Sequence, residues 1–194
     1  MSKIKTVGIV GTGVIGTGWI IRNLAHNKIV HAYDQNKNLK NYVLKEIKRT
    51  SKSIKKLFGK KILIKNLKFF NSLEKALVNV DFVQESVLEN YKVKTDLIHK
   101  ISKYVKSDII ISSSSSGLLP SKIFSKSENP QRGIIGHPFN PAYLLPAVEI
   151  VPGKKTTKKF LLDANKYYKS ISMKPIMLKK ELPGYLSDRL QEAL

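Results

Sequence analysis

Hydrophobic positions along this 194-residue chain follow two alternating patterns. Short apolar or β-branched runs, typical of buried strands, alternate with longer stretches in which apolar residues recur every three or four positions, as on one helix face. The pattern predicts strands at 3–10, 28–34, 62–70, 81–85, 108–112, 131–137, 148–151 and 175–178. It predicts helices at 14–24, 39–58, 73–78, 97–105 and 156–170. This alternation predicts an α/β fold of the Rossmann type, a doubly wound and largely parallel sheet.

A Gly-x-Gly-x-x-Gly motif lies where the first predicted strand meets the first helix. It comprises Gly11, Thr12, Gly13, Val14, Ile15 and Gly16. The first glycine allows a tight turn, the second lets backbone approach a pyrophosphate, and the third lets helix and strand pack closely. The helix N-terminus that follows offers free N–H groups to phosphates. We therefore predict a dinucleotide-binding loop, the alternative being a glycine-rich turn without a ligand.

An acid ends the second predicted strand. Asp34 lies 18 residues after Gly16, where a carboxylate accepts hydrogen bonds from the ribose hydroxyls of NAD and repels the extra phosphate of NADP. Gln35 follows it, and no arginine lies nearby to bind that phosphate. The sequence therefore favours NAD as the cofactor.

Composition narrows the function classes. The chain has no cysteine, which excludes disulfides, a thiol nucleophile and cysteine metal ligands, and we expect no metal site. No apolar run reaches the length of a membrane span, and a strand begins directly at the N-terminus without a visible signal peptide. We expect a cytoplasmic protein without a membrane partner.

The formal net charge is +21, and lysine supplies 31 of the 35 basic residues. These lysines are spread along the chain, whereas nucleic-acid binders usually cluster positive charge on one face and often add arginine. The favoured interpretation is a solvated lysine-rich surface with no nucleic-acid partner. The alternative, a nucleic-acid-binding protein, predicts binding that depends steeply on salt.

A helix with an apolar stripe is predicted from Tyr185 to Leu194, after the break at Pro183 and Gly184. Nothing in the sequence ends this helix or buries its stripe, so it either packs on a partner subunit or begins a further domain. We favour the second interpretation. The expected division is a Rossmann-type domain at 1–182 and, at 183–194, only the start of an α-helical C-terminal domain.

His137 ends a predicted apolar strand, at the sheet edge where open α/β proteins bind ligands. Histidine titrates near neutral pH and can accept a hydroxyl proton as a hydride leaves the carbon. Glu149 lies in another apolar strand, where an unpartnered acid is costly. We predict that Glu149 pairs with His137 and stabilises its imidazolium. The alternative is a structural histidine, with Glu149 facing water on an edge strand.

The serine run 112–116 closes another strand and is followed by Gly117. It either provides hydroxyl groups at the mouth of the cofactor cleft or is a plain polar loop. The remaining histidines are interpreted as structural: His26, His31 and His99.

Together these motifs resemble the 3-hydroxyacyl-CoA dehydrogenase superfamily. Residues 136–149 carry the superfamily's His-Pro-Phe-Asn-Pro sequence, and their Tyr-Leu-Leu-Pro continuation resembles its carnitine 3-dehydrogenase branch. Residues 13–19 and 116–121 are similar to the same branch. The resemblance covers essentially the whole chain.

The resemblance implies site residues. His137 matches the catalytic base, Glu149 the acid that orients it, and Ser116 a serine that contacts the substrate hydroxyl and the nicotinamide. Cofactor-cleft positions are implied for Glu89, Lys94 and Asn140, and Asn140 would also orient the reacting carbon.

One position departs from the superfamily's Gly-Phe-Ile-x-Asn-Arg pattern, because Asp188 stands where acyl-CoA members commonly carry asparagine. This counts against an acyl-CoA substrate, and a carboxylate suits a cationic head group. A trimethylammonium group also needs aromatic faces. Phe139, Tyr143 and Tyr185 are candidates, the alternative being core or cleft-wall packing.

The activity that the resemblance implies is NAD-dependent oxidation of a 3-hydroxy acid, with L-carnitine oxidised to 3-dehydrocarnitine. Alternatives are a 3-hydroxyacyl-CoA or L-gulonate 3-dehydrogenase, and a non-catalytic NAD-binding module if the second domain is missing. The resemblance also implies a homodimer formed through the C-terminal domain.

Overall fold

A computed structural model describes residues 4–194, which contain one eight-stranded sheet with helices on both faces. The strands are β1 Thr6–Val10, β2 Ile29–Tyr33, β3 Leu67–Phe70, β4 Phe82–Glu85, β5 Ile110–Ser113, β6 Gly133–Pro138, β7 Ala147–Pro152 and β8 Lys174–Met177. The helices are α1 Val14–Ala25, α2 Leu39–Phe58, α3 Leu73–Leu77, α4 Tyr91–Tyr104, α5 Pro120–Ile123, α6 Lys158–Ser170 and α7 Ser187–Glu192.

The strand order is β3-β2-β1-β4-β5-β6-β7-β8. The six strands from β3 to β6 are parallel, β7 pairs antiparallel with β6, and β8 is parallel to β7. The chain changes winding direction between β1 and β4, and ligands of open α/β sheets bind outside the carboxyl ends of strands at such a point. The predicted Rossmann-type, doubly wound and largely parallel sheet is confirmed.

Two apolar layers cover the sheet, because successive strand residues point to opposite faces. Ile134 of β6 packs in the layer that contains Trp19 of α1, whereas Ile135 packs in the layer that contains Ile98 of α4. A strand buried on both faces is apolar at every position. This explains why the strands appear as continuous apolar runs in the sequence.

Several predicted bounds were wrong for local reasons. The strand expected at 62–70 begins at Leu67, because Ile64–Asn66 forms a 3₁₀ turn. The helix expected at 97–105 begins at Tyr91, where the Asn90 side chain accepts a hydrogen bond from the Val93 N–H. Lys3, with which the first predicted strand begins, lies outside the described residues.

The last helix begins at Ser187 and not at Tyr185. Tyr185 has a backbone φ of +45°, which a right-handed helix excludes. Across residues 4–194, no helix combines the length and apolar character that crossing a membrane requires.

Candidate active site

The glycine loop joins β1 to α1, and two of its glycines lie close to backbone carbonyl oxygens. Gly11 has a φ of +88°, and a Cβ atom there would lie 2.6 Å from the Ser86 carbonyl oxygen. A Cβ atom on Gly16 would lie 1.8 Å from the Gly11 carbonyl oxygen. A Cβ atom on Gly13 would meet nothing within 4 Å. Two glycines are therefore required by packing, whereas Gly13 leaves open space in front of the loop.

The N-terminus of α1 has no side-chain cap, and its first turn carries no acid. By contrast, α3 and α4 begin with Ser72 and Asn90, whose side chains accept hydrogen bonds from the first turn. Free N–H groups at a helix N-terminus attract anions. The first turn, which includes Val14 and Ile15, is therefore open to a phosphate group.

Asp34 follows β2 and ties it to the glycine loop. Its Oδ2 accepts from the Thr12 N–H at 2.6 Å, and its Oδ1 accepts from the Asn36 N–H at 2.8 Å. The N–H of Thr12 is therefore occupied, and this residue acts in the loop by holding the acid. A cleft of about 890 Å³, lined by Gly11, Gly13 and Asp34 among others, opens at this edge of the sheet. Its volume suits a cofactor-sized ligand.

His137 and Glu149 lie directly opposite each other on the antiparallel strands β6 and β7. The His137 Nδ1 is 2.8 Å from Glu149 Oε2. Glu149 is fully buried, whereas the His137 side chain is 14% exposed. The structure thus brings the two predicted residues together, and Glu149 does not face water.

The carboxylate of Glu149 accepts four hydrogen bonds. Oε1 accepts from the backbone N–H groups of Leu186 at 2.9 Å and Ser187 at 3.1 Å. Oε2 accepts from His137 and, at 2.8 Å, from the Ser187 hydroxyl. Burial by itself raises the pKa of Glu149, but the hydrogen bonds from His137, Ser187 and Leu186 outweigh it and hold the pKa below its ordinary value.

The ionised carboxylate fixes the tautomer of His137. A carboxylate can only accept hydrogen bonds, so Nδ1 of His137 must carry the proton that it donates to Glu149. In the neutral ring Nε2 then has a free lone pair, and no residue between 4 and 194 donates to it. The arrangement presents Nε2 as a base and supports the charged ring once it has taken a proton.

The free energy of unfolding should depend on the ionisation of the Glu149 carboxylate at acidic pH. An unfolded glutamate titrates near pH 4.3, and the folded pKa of Glu149 is lower. The contribution of Glu149 to the free energy of unfolding is therefore complete above about pH 4.3 and is lost as the pH falls through the folded pKa. We expect the stability difference between wild type and Glu149→Gln, measured by urea denaturation, to narrow on acidification. A difference that stays constant down to pH 3 would contradict this assignment.

Glu89 accepts hydrogen bonds from the end of the serine run and from Gly117. Its Oε1 accepts from the Ser115 hydroxyl at 2.5 Å and from the N–H groups of Ser116 at 3.0 Å and Gly117 at 3.3 Å. The hydroxyl of Ser116 makes no hydrogen bond with any residue in the described part of the chain, so it is free to bind a substrate. Its contact with a substrate hydroxyl stays a prediction.

Lys94 contacts Glu89 and is almost completely buried. Its Nζ donates to Glu85 Oε1 at 2.8 Å and to the Val87 carbonyl at 3.1 Å, and lies 3.4 Å from Glu89 Oε2. Lys94 thus ties Glu89 to the end of β4. Direct contact of Glu89 or Lys94 with the cofactor stays a prediction.

The residues after His137 diverge. The Phe139 ring lies 6.1 Å from the His137 ring, and Asn140, the next residue, is exposed. Tyr143 instead turns toward α2, where Arg49 donates to its hydroxyl at 3.3 Å. Phe139 is therefore the predicted aromatic that remains available near the base.

Asp188 and Tyr185 both lie in the segment whose backbone contacts Glu149. Asp188 is half-buried in the first turn of α7, and its carboxylate forms no hydrogen bond or ion pair within residues 4–194. The Tyr185 ring lies 5.8 Å from the His137 ring but is fully buried, so it offers no face to a ligand. Tyr185 therefore behaves as core, the alternative that the sequence left open.

Arg22 is a site residue that sequence reasoning missed. It is fully buried on α1, and it donates to the carbonyl oxygens of Ala142 and Leu145, each at 3.0 Å. Its guanidinium lies over the Phe58 ring, and burial lowers its pKa to about 10. It fixes the loop between β6 and β7. An arginine inside the apolar run of α1 was the available signal, because a buried charge requires partners.

The remaining histidines make structural contacts. His26 bonds the Arg22 carbonyl and the Ser172 hydroxyl, His31 the Ala76 carbonyl, and His99 the Lys126 carbonyl. Within residues 4–194, no three histidine, aspartate or glutamate side chains are grouped so as to hold a metal ion.

The chain is similar in sequence to proteins of one family. Residues 6–182 match the family described as 3-hydroxyacyl-CoA dehydrogenase, NAD binding domain. The chain is 42% identical to an L-carnitine dehydrogenase of Pseudomonas putida over 100% of this chain and 61% of that protein. It is 42% identical to an L-carnitine dehydrogenase of Oceanobacillus iheyensis over 98% of this chain and 62% of that protein. The chain thus spans about three fifths of the length of these curated relatives.

Solved structures show the same fold. A crystal structure of 5-formyl-3-hydroxy-2-methylpyridine 4-carboxylic acid 5-dehydrogenase, described as an NAD⁺-dependent dismutase, superposes with a TM-score of 0.91 at 25% identity, covering 98% of this chain and 62% of that one. A 3-hydroxybutyryl-CoA dehydrogenase of Escherichia coli K12 superposes with a TM-score of 0.89 at 23% identity, covering 97% of this chain and 40% of that one. The second likeness concerns the fold alone.

Proposed function

We propose, from the premise that this chain belongs to the 3-hydroxyacyl-CoA dehydrogenase family, that it binds NAD and oxidises the hydroxyl-bearing carbon of a small 3-hydroxy acid. One observation carries the proposal. The His137 imidazole has Nδ1 bound to the buried Glu149 carboxylate and Nε2 unbound. A neutral imidazole so held is suited to remove a hydroxyl proton.

The residues of the cleft have separable roles. The first turn of α1 and the space in front of Gly13 would hold the pyrophosphate, and Asp34 would accept from a ribose hydroxyl. NAD, when bound, supplies the acceptor for the hydride. Ser116, whose hydroxyl is free, would orient the substrate hydroxyl.

The proton transfer follows from the tautomer of His137. Its Nε2 takes the hydroxyl proton while the carbon loses a hydride, so that a carbonyl group forms. The ring becomes an imidazolium, and the Glu149 carboxylate stabilises that charge through Nδ1. Burial of the pair strengthens this attraction, because the low local polarity screens it weakly.

L-Carnitine is the substrate that we propose. The support is the name of the relatives at 42% identity, together with two features of the chain. Phe139 lies beside His137 and can face a trimethylammonium group, and the unpaired carboxylate of Asp188 can attract it. A cytoplasmic location, a homodimer, the absence of nucleic-acid and membrane partners, and a domain division after residue 182 stay predictions.

The test measures binding and turnover separately. We expect calorimetry to show NAD binding at least about tenfold tighter than NADP, because Asp34 disfavours the extra phosphate. We expect NADH to form with L-carnitine, but not with 3-hydroxybutyryl-CoA or L-gulonate. NADH formed only with one of the other substrates would contradict L-carnitine as the substrate. Absence of NAD binding would contradict the whole proposal.

A further inference from the structure

Residues 184–187, which we term the Glu149-binding turn, contact the carboxylate through successive backbone groups. Gly184 and Tyr185 have φ values of +68° and +45°, whereas Leu186 returns to φ −97° and ψ −41°. Such a reversal makes consecutive N–H groups converge on one point, an arrangement that binds anions. The N–H groups of Leu186 and Ser187 converge on Glu149 Oε1 at 2.9 and 3.1 Å.

The side chain of Ser187 completes the contact. Its hydroxyl donates at 2.8 Å to Glu149 Oε2, the oxygen that also accepts from His137 Nδ1. With donors on both oxygens, the carboxylate cannot rotate without breaking at least two hydrogen bonds. The hydroxyl thus fixes the oxygen against which the imidazole is oriented.

Tyr185 anchors the turn. Its side chain is fully buried, and its hydroxyl donates at 2.6 Å to the carbonyl of Leu118, two residues after Ser116. A tyrosine rarely adopts a left-handed backbone conformation, and such a state persists only where its surroundings hold it. The turn is therefore fixed both to the segment that follows the serine run and to Glu149.

We propose that Ser187 is a positioning residue, whose hydroxyl holds the Glu149 carboxylate against Nδ1 of His137 and so keeps Nε2 as the acceptor of the substrate proton. Its kinetic consequence rests on the proposed function, whereas the contact itself does not. Ser187 touches neither reacting atom and acts through Glu149. Nothing in the sequence pattern, which places position 187 inside a helix predicted from Tyr185 to Leu194, assigns it this role.

The experiment compares Ser187→Ala with Ser187→Thr, which retains the hydroxyl. The lost bond joins a hydroxyl to a charged group, so we expect Ser187→Ala to lower kcat about tenfold with an unchanged KM for NAD. Ser187→Thr should recover most of that loss. Ser170→Ala on α6, whose hydroxyl bonds the Tyr167 carbonyl, is the matched control and should change neither parameter.

A second readout does not depend on turnover. The Ser187 hydrogen bond lowers the pKa of Glu149, so its carboxyl carbon, followed by NMR, should titrate at higher pH in Ser187→Ala and return toward wild type in Ser187→Thr. The titratable side chains that face Glu149 are His137 and Tyr185, and both are retained in every variant. A merely structural role would lower the melting temperature without moving this titration.

The outcomes are distinguishable. If Ser187→Ala leaves both kcat and the Glu149 titration unchanged, the positioning role is wrong. If no 3-hydroxy acid is oxidised but the titration moves as expected, the proposed function and the kinetic consequence fail, whereas the part of Ser187 in holding the Glu149 carboxylate stands. Should Ser187→Ala not fold, Ser187→Cys replaces it, because a thiol is a weak donor and should shift the titration in the same direction.

Discussion

Replacing His137 with asparagine should reduce kcat by about 10²- to 10⁴-fold, the usual contribution of a positioned general base, without weakening NAD binding. The asparagine amide nitrogen takes the approximate place of Nδ1 and can still donate to Glu149, whereas no atom replaces Nε2. The variant thus removes the base and keeps the buried carboxylate partnered, which limits the loss of stability. The measurements are initial rates of NADH formation and NAD affinity by calorimetry.

The matched control is His99→Asn. Its Nδ1 lies 2.7 Å from the Lys126 carbonyl, in a contact that joins α4 to the segment after α5. We expect wild-type kcat and NAD affinity for this variant. If His137→Asn kept more than about a tenth of the wild-type kcat, the proton would have another acceptor. If it lost NAD affinity instead, His137 would support the cleft and not the chemistry.

Two alanine substitutions in the glycine loop should have different effects. Gly16→Ala should lower both stability and NAD binding, whereas Gly13→Ala should lower NAD affinity with little change in stability. In Gly16→Ala the new methyl group would lie 1.8 Å from the Gly11 carbonyl oxygen, a backbone atom that cannot move without opening the turn. We expect the free energy of unfolding to fall by about 3 kcal/mol, as for severe overpacking, and NAD binding to be lost. Urea denaturation and calorimetry measure the two effects.

Gly13→Ala is the paired variant, because its methyl group meets no protein atom within 4 Å. Its stability should stay within about 1 kcal/mol of wild type, the range for a residue at a helix N-terminus. NAD affinity should nevertheless fall about tenfold, since the methyl group occupies the approach of the pyrophosphate. Equal stability of the two variants would contradict the close contact at Gly16. Unchanged NAD affinity in Gly13→Ala would place the pyrophosphate elsewhere.

The features that the sequence predicted well are those that a residue type or a short spacing determines. Strands buried on both faces appear as apolar runs, and the glycine loop requires Gly11 and Gly16 for backbone reasons. Glu149 was recognisable because an acid in an apolar strand needs a partner, and the antiparallel pairing of β6 with β7 supplies His137. The fold and the pairing of His137 with Glu149 could therefore be predicted without coordinates.

The contacts that the sequence did not predict depend on backbone states or on distant pairing. The hydrogen bond from Ser187 to Glu149 spans 38 residues and requires the left-handed conformation of Tyr185, which no periodicity encodes. Arg22 reaches across 120 residues to Ala142. The ring of Tyr143 could equally face a ligand or a neighbouring helix, and only the position of α2 decides between them.

In the proposed reaction, the pairing of His137 with Glu149 on adjacent antiparallel strands separates proton transfer from ligand selection. The ends of the loop at 139–146 are fixed, because the Phe139 N–H donates to the Ala147 carbonyl and the Lys174 N–H donates to the Pro146 carbonyl. Its exposed side chains, Asn140, Leu144 and Leu145, face outward and can change without altering the distance between base and acid. Under the proposed function, substitutions in this loop can therefore change which substrate is bound while the proton-transfer pair is kept.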